Sequence, residues 1–531
     1  MSAYDLVIVG AGSAGCVLAN RLSQDPSRRV LLVEAGGGHR HPLLHIPAGW
    51  AANFKNPKVD WGYSTEPEAQ LNGRSIYWPR GKVLGGSSAI NGMVYIRGVP
   101  LDYERWAQAG ATGWSYDDVL PYFRKAEAQQ RVDDEFHGVD GPLYVEDVRD
   151  KREAHEAFLQ GMQEVGIPRN DDFNGRDQAG GGYYQFNQHV GRRWSTASAY
   201  LDPVRSRSNL DVVTHTKAHR VTFEGKRVTG VVLEHERGGV RHVEAAHVAL
   251  CGGSINSPQL LELSGVGDGE RLQELGIEVV HHLPDVGEHL QDHLISKAVY
   301  GTRDEHSINR EVQGWRLAPT ALRWLLTRGG PLTTGSAPVG GFWYTREGLE
   351  APDIQIHFAS GATLYNNQGR IKAMPIPAMT AVADQNRPES TGSLHITSTD
   401  PHAPPRIRAS YLDSEVDRKT LIDGLRLVVS IFESQAMAPF VTERIAPQVN
   451  VDSDDELLDY IRGDAVTSYH PTSTCRIGSV VDPDLSVKGV SGLSVVDASV
   501  MPYVVSGNTN AATIMIAEKA AEQHLFQSEP L

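Results

Sequence analysis

A chain of 531 residues, 40% hydrophobic and 22% charged, has the balance of a soluble globular protein and is longer than one hydrophobic core usually grows. Two domains, or one domain with a large second one inserted, are expected. The net charge of −15 argues against nucleic acid as the main partner, because phosphate neutralisation needs clustered Lys and Arg. Cys16, Cys251 and Cys475 are too scattered for a disulfide framework or a CxxC metal pattern, so a reducing compartment and no metal are expected.

The first strand begins at about Tyr4, which leaves no room for a leader ahead of it, and nothing downstream offers the ~18 uninterrupted apolar residues of a membrane span. A cytoplasmic location follows as the expectation. The opening, YDLVIVGAGSAGCVLANRLS, reads as an apolar strand, a glycine turn and a helix with Val17, Leu18 and Leu22 on one side. RRVLLVEAGGG is a second buried strand ending in an acid. Together they make a strand, helix, strand unit with parallel strands.

Gly10, Gly12 and Gly15 have GxGxxG spacing at the strand-to-helix turn. Each answers a steric need: a tight turn, close approach of backbone to a pyrophosphate, and close helix-to-strand packing. Glu34 lies nineteen residues after Gly15, at a strand end where a carboxylate can accept from a ribose. The fingerprint implies a dinucleotide without separating FAD from NAD. PRGKVLGGSSAINGMVYIRG, at 79–98, adds a Gly-Gly-Ser-Ser loop able to present consecutive backbone N–H groups to an anion.

From 209 to 251 short strands with turns at Glu224-Gly225-Lys226 and Arg237-Gly238-Gly239 form a β-meander, and HVALCGGS then feeds a helix through glycines. Between about 300 and 460 no nucleotide signature occurs. Strands such as DIQIHF (353–358) alternate with helical stretches such as DRKTLIDGLRLVVSIFES, which suits a substrate-facing domain. Phe342, Trp343, Tyr344, Ile356 and Phe358 are candidates either for its core or for a pocket wall. GLSVVDASVMP (492–502) reads as a strand returning to the first domain, followed by a last helix from about Ala511.

His470 stands in TSYHPTSTCRIG, one of 21 histidines, so by itself it reads as easily as a buried structural imidazole as a base. Cys475, five residues on, has no resolving or metal-spaced companion near it in sequence.

Four stretches together are more specific than any one motif. The run at 79–98, GSINSPQLLELSGVG (253–267), YHPTSTCRIG and GNTNAATIMIAEKAA resemble, in order, the signature blocks of the glucose–methanol–choline oxidoreductases, flavoproteins that oxidise alcohols. HPLLHIPAGW and GGFWYTREGLEAPDIQIHF are similar to bacterial sorbose and polyethylene-glycol dehydrogenases of that family. The resemblance implies a mixed α/β fold with a Rossmann-like FAD-binding domain built from discontinuous segments (1–155, 209–300 and 462–531), a cover segment (156–208) and a sheet-and-helix substrate domain (301–461). It assigns Gly10, Gly12, Gly15 and Glu34 to the ADP half of FAD, Gly86, Ser87 and Asn91 to the flavin or its pyrophosphate, and Asp497 to the cofactor's centre. Some members attach FAD through a histidine just before the asparagine matching Asn91; here that residue is Ile90, so the cofactor is expected to be non-covalent.

The same resemblance makes His470 the base that takes the hydroxyl proton while hydride passes to flavin N5, with Asn510 as its partner, a histidine–asparagine pair similar to the choline dehydrogenase branch. Asn510 also reads as the N-cap of the last helix. The expected substrate is a primary alcohol, polyol or polyether end, with oxygen or a quinone- or dye-type electron acceptor, and Ser468 stands near the path between them. A hydroxynitrile lyase on the same fold and a non-catalytic flavin-binding protein are the alternatives.

Overall fold

The computed structural model describes residues 4–365 and 371–523. In chain order, the elements that frame the site begin with β1 (Tyr4–Val9), α1 (Ser13–Leu22), β2 (Val30–Val33) and β3 (Gly180–Tyr183). Next come β4 (Leu210–Val213), β5 (Thr216–Glu224), β6 (Arg227–His235), β7 (Gly239–Leu250) and α2 (Gly253–Leu263). The middle of the chain gives β8 (Leu294–Thr302), α3 (Leu317–Thr327), β9 (Val339–Trp343), β10 (Ile354–Ala359) and β11 (Ala378–Gln385). The last are α4 (Glu415–Phe432), β12 (Val441–Ala446), β13 (Val466–Thr467), β14 (Leu493–Val495) and α5 (Asn510–Ala520).

The first seven-stranded sheet has the order β4-β2-β1-β7-β6-β5, with β14 also on β7. Its two styles meet in one strand. Residues 239–244 of β7 zip antiparallel onto β6, whereas Ala245–Leu250 run parallel to β1, and the last three of these pair with β14. The change follows the sequence: the start of β7 is largely exposed, while Val248, Ala249 and Leu250 are buried on both sides, as interior parallel strands are. α1 packs beneath the β1–β2 crossover, and the carboxyl ends of β1 and β7 open onto a common crevice, the usual place for a ligand in such a sheet.

The second seven-stranded sheet is antiparallel, ordered β12-β8-β11-β10-β9-β3 with β13 on β8. α4, whose Ser414 N-cap accepts from Val416 N–H, lays Leu421, Leu425 and Val428 on it. Gly424 makes that approach possible, since a Cβ there would stand 2.3 Å from Ile354 Cδ1. β3 and β8 belong to this sheet although both begin before residue 301, because an antiparallel sheet can recruit strands from anywhere in the chain. The return strand and last helix expected from the sequence are β14 and α5. Ile356 and Phe358 are fully buried on the face of β10 under α4, and Phe342 is fully buried in a separate cluster with Phe173 and Tyr184, so the core wins these residues over the pocket wall.

Candidate active site

The crevice begins at the glycine turn. Gly10 has φ +105°, and a Cβ on it would meet Cys251 O at 2.4 Å; a Cβ on Gly15 would come within 1.9 Å of Gly10 O. Turn and helix therefore tolerate no side chain at either position. The second loop, Gly86–Ala89, closes on the first so tightly that a Cβ on Gly86 (φ +51°) would lie 2.6 Å from Gly12 Cα. Ser87 Oγ accepts from Gly81 N–H (3.1 Å), and Asn91 Oδ1 accepts from Met93 N–H (3.1 Å) and from the Arg193 guanidinium (2.8 Å).

Glu34 accepts from Ala11 N–H at 3.0 Å and Gly36 N–H at 2.8 Å, tying the β2 end to the turn. Burial pushes its carboxyl up to about 7 against the pull of those two donors. Asp497 follows β14 and pins the start of α2 through Gly253 N–H (2.8 Å) and Ser257 Oγ (2.6 Å) while accepting from Ser499 N–H (2.8 Å). Its own carboxyl is also raised by burial. The first turns of α1 and α5 have no side-chain cap, so their N–H groups remain available at the crevice.

At the other end of the same continuous cavity stands His470, 8% exposed. It is held in a turn after β13 by Asp292, which accepts from His470 N–H at 2.7 Å and also receives the Tyr411 and Thr467 hydroxyls. Tyr469, immediately before it, takes φ +68°, an unfavourable value for an aromatic residue that this network sustains. Two relays then define the imidazole. His293 Nε2 lies 3.0 Å from Asn386 O, and a carbonyl only accepts, so that nitrogen carries hydrogen. His293 Nδ1 is consequently an acceptor and takes the hydrogen of His470 Nδ1 at 3.0 Å, which leaves the lone pair on His470 Nε2.

Facing that lone pair, Asn508 Nδ2 donates at 3.1 Å, and Gln355 Nε2 donates to Asn508 Oδ1 at 3.3 Å, orienting the amide. Burial, with His293, His357 and Arg80 nearby, holds the His470 pKa well below the ordinary imidazole range. The ring is a neutral acceptor beside an amide donor. Such a pair can take a proton from a hydroxyl and support negative charge on its oxygen.

All the expected cradle residues lie where one crevice can use them: Gly10, Gly12, Glu34, Gly86, Ser87, Asn91 and Asp497 line it, and Gly15 packs just behind. Asn510 departs from expectation. It makes no hydrogen bond to His470 and does not cap α5, whose N-cap is Thr509. Already inside the first helical turn, its Oδ1 receives Ser13 Oγ–H at 2.7 Å, so it lines the crevice on the α1 side; Asn508, just before the cap, reaches His470 instead.

Ile90 lines the cavity beside Asn91, and Ser468 hydrogen-bonds Asp384 at 2.6 Å. Cys475 is buried and unpaired. His293, Asn508 and Gln355 were not anticipated, and neither was His357, which lines the cavity from the face of β10 opposite Ile356 and Phe358. The strict alternation of DIQIHF was the signal for Gln355 and His357, which share its polar face; nothing local marks His293 or Asn508.

The family model described as GMC oxidoreductase matches the chain twice, over residues 4–295 and 388–517. The alcohol dehydrogenase [acceptor] of Pseudomonas putida is 43% identical over 530 residues, covering 98% of this chain and 95% of that protein. The mitochondrial choline dehydrogenase of Mus musculus is 43% identical over 534 residues, covering 98% and 89%. Among solved structures, pyridoxine 4-oxidase from Mesorbium loti superposes with a TM-score of 0.89 at 30% identity, covering 99% of this chain and all of that one. With the two glycine loops, the discontinuous first sheet and the buried histidine at the cavity end, these matches establish that the chain belongs to the GMC oxidoreductase family.

Proposed function

We propose that this protein is an FAD-dependent alcohol oxidoreductase in which His470 Nε2 takes the hydroxyl proton of a primary alcohol. The residues present fit the cofactor: the bare Cα atoms of Gly12 and Gly86 face each other at a helix start with no side-chain cap, a site shaped for a pyrophosphate. Gly10, Gly12, Gly86, Ser87, Glu34 and Asp497 would hold FAD without a covalent bond. When bound, FAD supplies the acceptor for the hydride lost from the alcohol carbon.

This chain's own part is proton transfer and positioning. With Nδ1–H committed to His293, His470 receives the proton on Nε2, and Asn508 Nδ2 turns from that nitrogen to the substrate oxygen, stabilising charge as it develops. Neutrality of the imidazole keeps it competent as an acceptor, and its burial keeps competing water away. The uncapped start of α5 favours negative charge in the crevice. Asn510, bonded to Ser13, serves the crevice wall and not the reacting oxygen.

The chamber beyond His470 is walled by Ile295, Val382 and Val466 with the Phe54 and Tyr469 rings, and its Lys297–Asp464 ion pair (2.7 Å) is internally compensated. That lining suits a neutral alcohol with an apolar body. The observation that carries the reading is the His293–His470–Asn508 relay ending in an unprotonated Nε2. Anaerobic mixing of the yellow protein with a panel of primary alcohols, polyols and polyethers should bleach the flavin band; an unchanged spectrum across the panel would refute oxidation. Repeating the productive substrate with oxygen and then with a quinone dye identifies the electron acceptor.

A further inference from the structure

α3 is built the wrong way round for a helix of a water-soluble surface. An amphipathic helix ordinarily turns its apolar stripe to the core. Here Leu322, Leu325 and Leu326 are 55%, 58% and 75% exposed, and Trp315, just before the helix, is 79% exposed. The side facing the protein is held by one ring: Trp324 is buried, donates from Nε1 to Gly191 O at 2.9 Å, and is stacked by the Arg328 guanidinium at 4.3 Å. The leucines therefore point outward by construction, because the residue at helical spacing opposite them is the anchor.

The charge around this face is also distinctive. Residues 314–330 contain Arg316, Arg323 and Arg328 and no acid, in a chain whose net charge is −15. Arg316 and Arg323 are exposed, seven positions apart on the flank of the leucine face, and neither is in an ion pair among the described residues; Arg316 lies over the Trp315 ring at 5.5 Å. Leucines outward, arginines along the flank and a tryptophan at one end are the pattern of a helix that lies in a lipid interface, with headgroup phosphates meeting the guanidinium groups. No helix among the described residues is long and apolar enough to cross a membrane.

We infer that α3 with Trp315 is a docking element that seats this protein on the surface of an anionic lipid bilayer. A second copy of the chain fits less well. An eleven-residue helix is about 16 Å long and falls short of the roughly 800 Å² per partner of a stable dimer, and pairing two copies would bring like-charged arginine flanks together. The segment that contains α3 leads straight back to the cavity, since Ser336 and Ala337 line its wall.

Flotation of the FAD-loaded, full-length protein with phosphatidylglycerol vesicles, against phosphatidylcholine vesicles, tests this. The wild type should float with the anionic vesicles, several-fold less with the zwitterionic ones, and less again at high salt. The double substitution Leu325→Asp/Leu326→Asp should lower binding to the anionic vesicles by more than about tenfold, and Arg316→Ala/Arg323→Ala should remove the preference for them. Both variants should keep the flavin spectrum and turnover with a soluble dye, which excludes misfolding. Failure of the wild type to float, or equal flotation of the leucine variant, overturns the proposal. A wild-type dimer that Leu325→Asp/Leu326→Asp makes monomeric, with vesicles binding neither form, would instead assign the face to a second copy.

Discussion

The cradle and the chamber meet in one cavity but are made by different physics. In the cradle the determining contacts are backbone against backbone, Gly15 under Gly10 and Gly86 against Gly12. Their specification is the absence of a side chain at fixed spacing. The chamber is made of side chains handed from one to the next, Asn386 to His293 to His470 and Gln355 to Asn508 to His470, across gaps of 38 to 177 residues for the bonds that end on His470. A cradle of this kind fails by steric exclusion, and a relay by losing a proton's place. Cofactor retention and catalytic rate should therefore be separable by mutation.

The widest separation should come from Gly86→Val set beside His470→Ala. A valine Cβ at 2.6 Å from Gly12 Cα, in a backbone with φ +51°, should give nearly colourless protein and no turnover. His470→Ala should retain the flavin and lose about 10²–10⁴ in kcat/KM. Absorbance spectra of the purified variants, read beside single-turnover rates, check this; loss of flavin from His470→Ala would break the distinction.

A smaller effect distinguishes the two asparagines. Asn508→Ala should cost on the order of 10²-fold in kcat with little change in flavin content, as removal of a donor to the developing oxyanion does. Asn510→Ala should cost less than about tenfold and act on cofactor affinity. The reverse ranking would restore Asn510 as the partner of the base.

The smallest effect is on pH. In the proposed mechanism the neutral imidazole of His470 is the active form, and its folded pKa lies well below the ordinary value, so protonation is postponed to lower pH. The acid limb of kcat/KM should then be absent through the ordinary imidazole range near pH 6.5. A wild-type profile falling with an ordinary histidine midpoint would show that the depression does not persist in the working enzyme.

α3 extends the lesson to the surface. RLAPTALRWLLT has helical spacing, and spacing alone would assign the leucines to a core. Which face is turned inward was settled by the pocket that receives Trp324 against Gly191, more than a hundred residues away. The same holds inside the molecule, where alternation along β10 divides Ile356 and Phe358 from His357 but does not say which side faces the cavity.

The amino-acid sequence by itself determined the crossover unit, both glycine loops and the acid at the end of β2, because steric demands on a turn and the burial pattern of a strand act within a few tens of residues and leave their mark as spacing. Only the tertiary structure decided that Asn508 and not Asn510 hydrogen-bonds His470, that His293 sets the tautomer of that ring, and that α3 presents its leucines to solvent. Those outcomes depend on a hydrogen-bond reach of about 3 Å between residues remote in the chain, and on that scale a shift of two positions across the start of α5 changes the partner while leaving every local pattern as it was.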